Sequence, residues 1–126
     1  MSTVTEPAVT GPDFIALQVR DLDASARFYT DILGLRPAPQ SPSDAIVFQT
    51  KPIPFAIRKP LVDLSAASKL GWGVALWMHV NGTDALYEKL RAAGVPIVRE
   101  PTDSPFGRTF TFADPDGYGV TVHDGK

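Results

Sequence analysis

Cysteine is absent from the chain, which excludes disulfide staples, thiolate metal sites and a cysteine nucleophile and removes any sign of an oxidising compartment. Histidine is scarce, with only 2 residues, His79 and His123, so imidazole chemistry rests on one pair. An excess of charge of one sign is also missing. The 12 Lys and Arg against 14 Asp and Glu leave a net charge of -2, with no electrostatic footprint able to neutralise several phosphates. Nucleic acid is therefore not an expected partner. No apolar run approaches membrane-spanning length. Met1 to Pro12 carry Glu6, no Lys or Arg, and no apolar stretch long enough for a signal peptide. The expectation is a cytoplasmic protein with no membrane partner.

What is present is enough apolar surface for one core. With 126 residues and 44% hydrophobic composition, the chain supports one domain and is too short for two independent ones. Residues 1–12 mix small, polar and proline residues without periodicity and read as a tail, flexible or ordered by a partner. Phe14 to Val19 form a largely apolar run with one Gln, the pattern of a strand. Asp21 then offers an N-cap, and Leu22, Ala26, Phe28, Tyr29, Ile32 and Leu33 recur at helical spacing until Gly34 stops the helix. Three strand candidates follow, Leu35 to Ala38, Ala45 to Thr50 and Phe55 to Arg58, punctuated by Pro, Ser, Asp and Lys.

After a linker, residues 61–73, with a short helical turn expected at Leu64 to Lys69, the order repeats. Ile15, Leu17 and Val19 are echoed by Leu76, Met78 and Val80, and Gly34 by Gly94. Asp84, Ala85, Leu86, Leu90 and Ala93 make a second helix. Pro96 to Arg99, Thr109 to Ala113 and Gly119 to His123 are strands, with a turn at Asp114-Pro115-Asp116-Gly117 before the last. The expected fold is α+β: two βαβββ modules, residues 13–60 and 74–126, forming a cupped mixed sheet with helices on the outer face.

Three stretches carry a family likeness: IALQVRDLDASARFYTDILGL, VALWMHVNGTDALYEKLRAAGVPIV and FGRTFTFADPDGYGVTVHD. Over nearly all of residues 13–124 the chain resembles the vicinal oxygen chelate superfamily of glyoxalases, bleomycin-resistance proteins and extradiol dioxygenases, and is most similar to its metal-free antibiotic-binding branch. The resemblance implies paired βαβββ modules around a cup, which in the family's enzymes holds a divalent metal. The ligand positions fall in register on Phe14, Ala75, Thr121 and about Ala56. Phenyl and methyl groups offer no lone pair, and Thr121 offers only a weak hydroxyl. No metal and no other cofactor is therefore expected.

Strand parity puts Ala75, Trp77 and His79 on the inner wall of the cup and Val74, Leu76, Met78 and Val80 against the helices. Phe14 shares the inner parity of the first strand, and Phe106 lies in a loop beside the cup. Small Ala56 and Ala75 with flanking rings make a slot for a planar ligand. Gln18, Arg58, Thr121 and His123, with His79, are same-face polar groups able to orient its carbonyls or hydroxyls. Phe110 and Phe112 alternate along one strand; their facing stays open, with the core favoured. The charged helix surfaces, including Arg20, Glu88 and Arg91, read as solvated faces without a role. Gly71 to Leu76 lack the third glycine of a dinucleotide loop and precede a strand, so they begin that strand.

The reading that follows is an antibiotic-binding resistance protein that sequesters a planar aromatic natural product without chemical change. No catalytic residue is assigned. Two alternatives stand beside it: a lyase or isomerase of the glyoxalase type with a relocated or substrate-borne metal, and a binder of an ordinary flavin-like metabolite. A homodimer is expected, because each open cup exposes apolar wall that one small chain cannot cover.

Overall fold

The computed structural model describes residues 7–125; the first half of the tail, residues 1–6, with its expected contact to a partner, lies outside the described residues. Strand β1 (Ile15–Gln18) leads into helix α1 (Leu22–Arg27), followed by β2 (Ala45–Phe48) and β3 (Phe55–Arg58). A single 3-10 turn, Leu64–Ala66, interrupts the linker. The second module comprises β4 (Leu76–His79), α2 (Thr83–Ala92), β5 (Ile97–Ser104), β6 (Gly107–Ala113) and β7 (Gly119–His123). None of the described helices is long and apolar enough to cross a membrane.

Asp21 caps α1 by accepting a hydrogen bond from the Ala24 amide at 3.1 Å. The helix then widens into a π turn over Phe28–Ile32, in which Leu33 N donates to Phe28 O across five residues. This turn buries both Phe28 and Tyr29, neighbours in sequence. Gly34, with φ of 82°, ends it in the left-handed region that a side chain disfavours.

The two modules repeat one topology. In each, the first strand pairs in parallel with the last, giving a three-stranded sheet β1-β3-β2 and a four-stranded sheet β4-β7-β6-β5. The missing fourth strand of module one is the segment expected at Leu35 to Ala38. It is reduced to an isolated bridge between Pro37 and Phe48, because Pro37 and Pro39 have no amide hydrogen to donate to a ladder. Two of the expected strands of module two are longer than their apolar pattern. β5 continues past Pro101 with shifts of register, as an edge strand can, and the β5–β6 hairpin closes at Gly107.

Both helices pack on the same side of the sheets, and one apolar layer runs beneath the two modules. Aromatic contacts thread it from Phe48 through Phe55, Tyr29, Phe28, Phe112 and Phe110 to Tyr87, with ring centroids 5.1 to 6.1 Å apart. Phe110 and Phe112 are fully buried, which settles their facing. Val74 departs from its expected place against the helices. It precedes β4 and is 73% exposed.

The Asp114–Gly117 turn locks the modules together. The Asp114 carboxylate accepts from the amides of Asp116 and Tyr118, both at 2.9 Å, and from the buried Tyr29 hydroxyl at 2.6 Å. Asp116 accepts from the Arg20 amide at 2.9 Å, from its guanidinium at 3.2 Å and from Ser25 Oγ at 3.2 Å. Arg20 is thus a latch between modules, in contrast to the solvated role expected of it. Burial, followed by the charge of Asp114, raises the Tyr29 pKa far above its ordinary value. Burial likewise pushes Asp114 above its ordinary value in spite of its three hydrogen bonds.

Candidate functional site

The free faces of the sheets, opposite the helices, carry the remaining candidates. Register sets them in cross-strand pairs: Ala16 beside Ala56, Gln18 beside Arg58, Trp77 beside Thr121 and His79 beside His123. Strands β1 and β4 are the facing inner edges, and each belongs to a different sheet. Two hollows lie along the seam between them and share Ile15 and Leu76.

The smaller hollow, about 380 Å³, is lined by Ala16, Gln18, Leu64, Val74, Ala75 and Tyr118, among others. Tyr118 donates to the Gln18 carbonyl at 2.7 Å, and the Gln18 side-chain oxygen accepts from the amides of Leu61 and Val62 at 2.7 and 3.3 Å. Gln18, expected to orient a ligand, therefore anchors the linker through its side-chain oxygen. The larger hollow, about 660 Å³, is lined by Trp77, His79 and His123 from module two and by Arg36, Gln49 and Lys51 to Pro54 from module one, among others. Its volume falls in the range of small-molecule pockets.

Four rings cluster on the free face of the second sheet. Trp77 meets Phe106 edge-on at 5.6 Å and lies 5.8 Å from His123, whose ring is 5.6 Å from His79. His123 Nδ1 sits 3.2 Å from the Phe106 carbonyl, tying the 105–106 loop to β7. Trp77 is 48% exposed and Phe106 53%, so apolar ring surface is open to a ligand.

Five other candidates are arranged differently. Ala56 is only 2% exposed and lines neither hollow, because Ala16 and Val47 flank it across β1 and β2. Arg58 donates to the carbonyl of Lys59 next to it and is likewise outside both hollows. Thr121 shares a hydrogen bond with Thr111 Oγ1 at 2.7 Å. Phe14 is half exposed just ahead of β1, and Phe106 reaches the larger hollow only through Trp77. Sequence reading missed Arg36, Gln49, Lys51 and Tyr118. Arg36 and Gln49 lie in stretches expected to be strands that the structure leaves irregular at those residues, Lys51 lies in the loop between β2 and β3, and Tyr118 directly follows the Asp114–Gly117 turn.

The donor set does not fit the divalent metal of the fold's enzymes. Phe14, Ala56 and Ala75 have no donor atom, and the Thr121 hydroxyl is engaged. Among the described residues no group of three or more His, Cys, Asp or Glu is placed to hold an ion.

Residues 11–122 match the Glyoxalase/Bleomycin resistance protein/Dioxygenase superfamily. The phenazine antibiotic resistance protein EhpR of Enterobacter agglomerans is 25% identical over 97% of both chains. The lactoylglutathione lyase of Haemophilus influenzae is 28% identical over 87% of this chain and 89% of its own. Among solved structures, UcmS2 superposes with a TM-score of 0.72 at 27% identity, covering 93% of this chain and 99% of its own.

Proposed function

The chain belongs to the Glyoxalase/Bleomycin resistance protein/Dioxygenase superfamily, and from that premise we propose that it is a drug-binding resistance protein. It sequesters a planar aromatic natural product in the larger hollow and releases it unchanged. The observation that carries this reading is the open ring cluster of Trp77, Phe106, His79 and His123 on the free face of the second sheet, three of whose rings line the larger hollow. Planar rings gain burial and offset contacts there. The likeness to a phenazine resistance protein supports the same reading.

The likeness to a lactoylglutathione lyase favours a second reading, in which His79 and His123 supply two ligands to a relocated metal. A pair without a third protein ligand is a weak site. Elemental analysis of the purified protein separates the two: near-equimolar metal that disappears in His79→Ala or His123→Ala would establish the lyase-type site and overturn sequestration.

The direct test is a titration of quinone, anthraquinone and phenazine compounds followed by tryptophan fluorescence in a Trp72→Phe background, so that Trp77 alone reports. Chromatography then recovers the compound. Saturable quenching with intact compound is expected; a chemically altered product would overturn the binding-only reading. We propose that the protein acts in the cytoplasm as a homodimer with two equivalent sites, since Phe14, Trp72 and Val74 leave apolar surface uncovered beside the seam. A monomeric mass by light scattering at micromolar concentration would exclude that arrangement.

A further inference from the structure

The larger hollow is asymmetric in charge. Its lining includes two cations, Arg36 and Lys51, and two imidazoles, His79 and His123, with no carboxylate. Among the described residues neither Arg36 nor Lys51 takes part in an ion pair, whereas Arg20 and Arg108 do. Both cations come from module one, whereas Trp77, His79 and His123 come from module two: Arg36 from the stretch after the π turn, Lys51 from the loop between β2 and β3.

The chain as a whole carries a net charge of -2, so it does not draw anions from a distance. An anion would be selected only locally, within the roughly 10 Å over which charges act at ordinary ionic strength. Resting on the reading of the hollow as an aromatic-binding slot, we propose that its ligands are planar aromatic acids. The fused rings lie against Trp77 and His123, while an ionised carboxylate or phenolate faces Arg36 and Lys51. Arg36 offers a planar fork of donors that matches a carboxylate in two parallel hydrogen bonds, and Lys51 adds a mobile point charge. Neutral compounds of the same ring system keep the stacking and lose this contact.

The experiment compares anthraquinone-2-carboxylate with its neutral carboxamide, and phenazine-1-carboxylate with its carboxamide, by calorimetric titration against the full chain. The proteins are the wild type, an Arg36→Gln/Lys51→Gln double variant and a Lys89→Gln control on the remote helix α2. Exposed charge contacts are individually modest, so the wild type is expected to prefer each acid by roughly three- to tenfold. The double variant should bind acid and amide equally, with amide affinity within about twofold of wild type, and Lys89→Gln should leave the preference intact. Equal binding of acid and amide by the wild type would overturn charge selection while leaving aromatic binding in place. A preference that survives in the double variant would overturn the assignment to Arg36 and Lys51. Failure of all four compounds to bind would overturn the aromatic-slot reading and this inference together.

Discussion

Two aromatic clusters sit on opposite sides of the same sheets and obey opposite rules. Under the helices, Phe28, Tyr29, Phe48, Phe55, Phe110 and Phe112 are at most 6% exposed and join the modules into one core. On the free face, Trp77 and Phe106 keep about half their surface open, although they contact one another much as the core rings do. Ring-to-ring contact alone therefore does not distinguish structure from site. What differs is the layer behind each cluster: helices close over one, and nothing among the described residues closes over the other.

The largest break in that contrast is expected at Phe112. Removing a fully buried ring that touches both Phe28 and Phe110 leaves a cavity at the junction of the modules. Phe112→Ala should cost about 3 to 5 kcal/mol, read as a shift in the urea midpoint. A cost below about 1 kcal/mol would mean that the modules do not share a core.

Next comes Tyr29→Phe, which deletes the hydroxyl donor to Asp114 while keeping the ring. Loss of a buried hydrogen bond to a charged group is worth about 1.5 to 3 kcal/mol. The same variant tests a pH dependence. The folded-state pKa of Tyr29 lies above its ordinary value of 10.0, so the folded form holds its proton longer than the unfolded form. The resulting stability is present below about pH 10 and is lost as pH rises further. Wild type should therefore weaken more steeply than Tyr29→Phe in denaturation series above pH 10; parallel curves would contradict the assignment.

The smallest effect on stability is expected from the open cluster. Trp77→Ala should change folding stability by about 1 kcal/mol or less, because half the indole is already in water. Its effect belongs to binding: loss of stacking and contact area should weaken a planar aromatic ligand by about tenfold, measured by calorimetric titration. Unfolding of Trp77→Ala would place the indole among the structural rings and erase the distinction between the clusters.

Local pattern made much of this arrangement legible. Alternation along β1, β4 and β7 sorted Ile15, Leu17, Leu76 and Met78 to the core side and Trp77, His79 and His123 to the free side, because a strand's side chains reverse direction at every residue. Parity could not say what would cover a face, so it grouped Ala56, Arg58 and Thr121 with the site, while neighbouring strands and their own hydrogen bonds occupy them. Arg36 lies in a stretch expected to be a strand that does not form, and Lys51 in a loop, so parity assigned neither to the site.

By itself the sequence determined the repeat of one strand-helix-strand module, the absence of metal donors at Phe14, Ala56 and Ala75, and the parity that puts Trp77, His79 and His123 on the face opposite Leu76 and Met78. These depend on residue identity and on spacings of a few residues, which the local backbone geometry converts directly into direction. Only the tertiary structure decided that Tyr29 meets Asp114, that Arg20 latches to Asp116, and that Arg36 and Lys51 line one hollow with Trp77. Those contacts join residues far apart in the chain, and they exist because burying one shared apolar layer fixes how the two modules sit against each other.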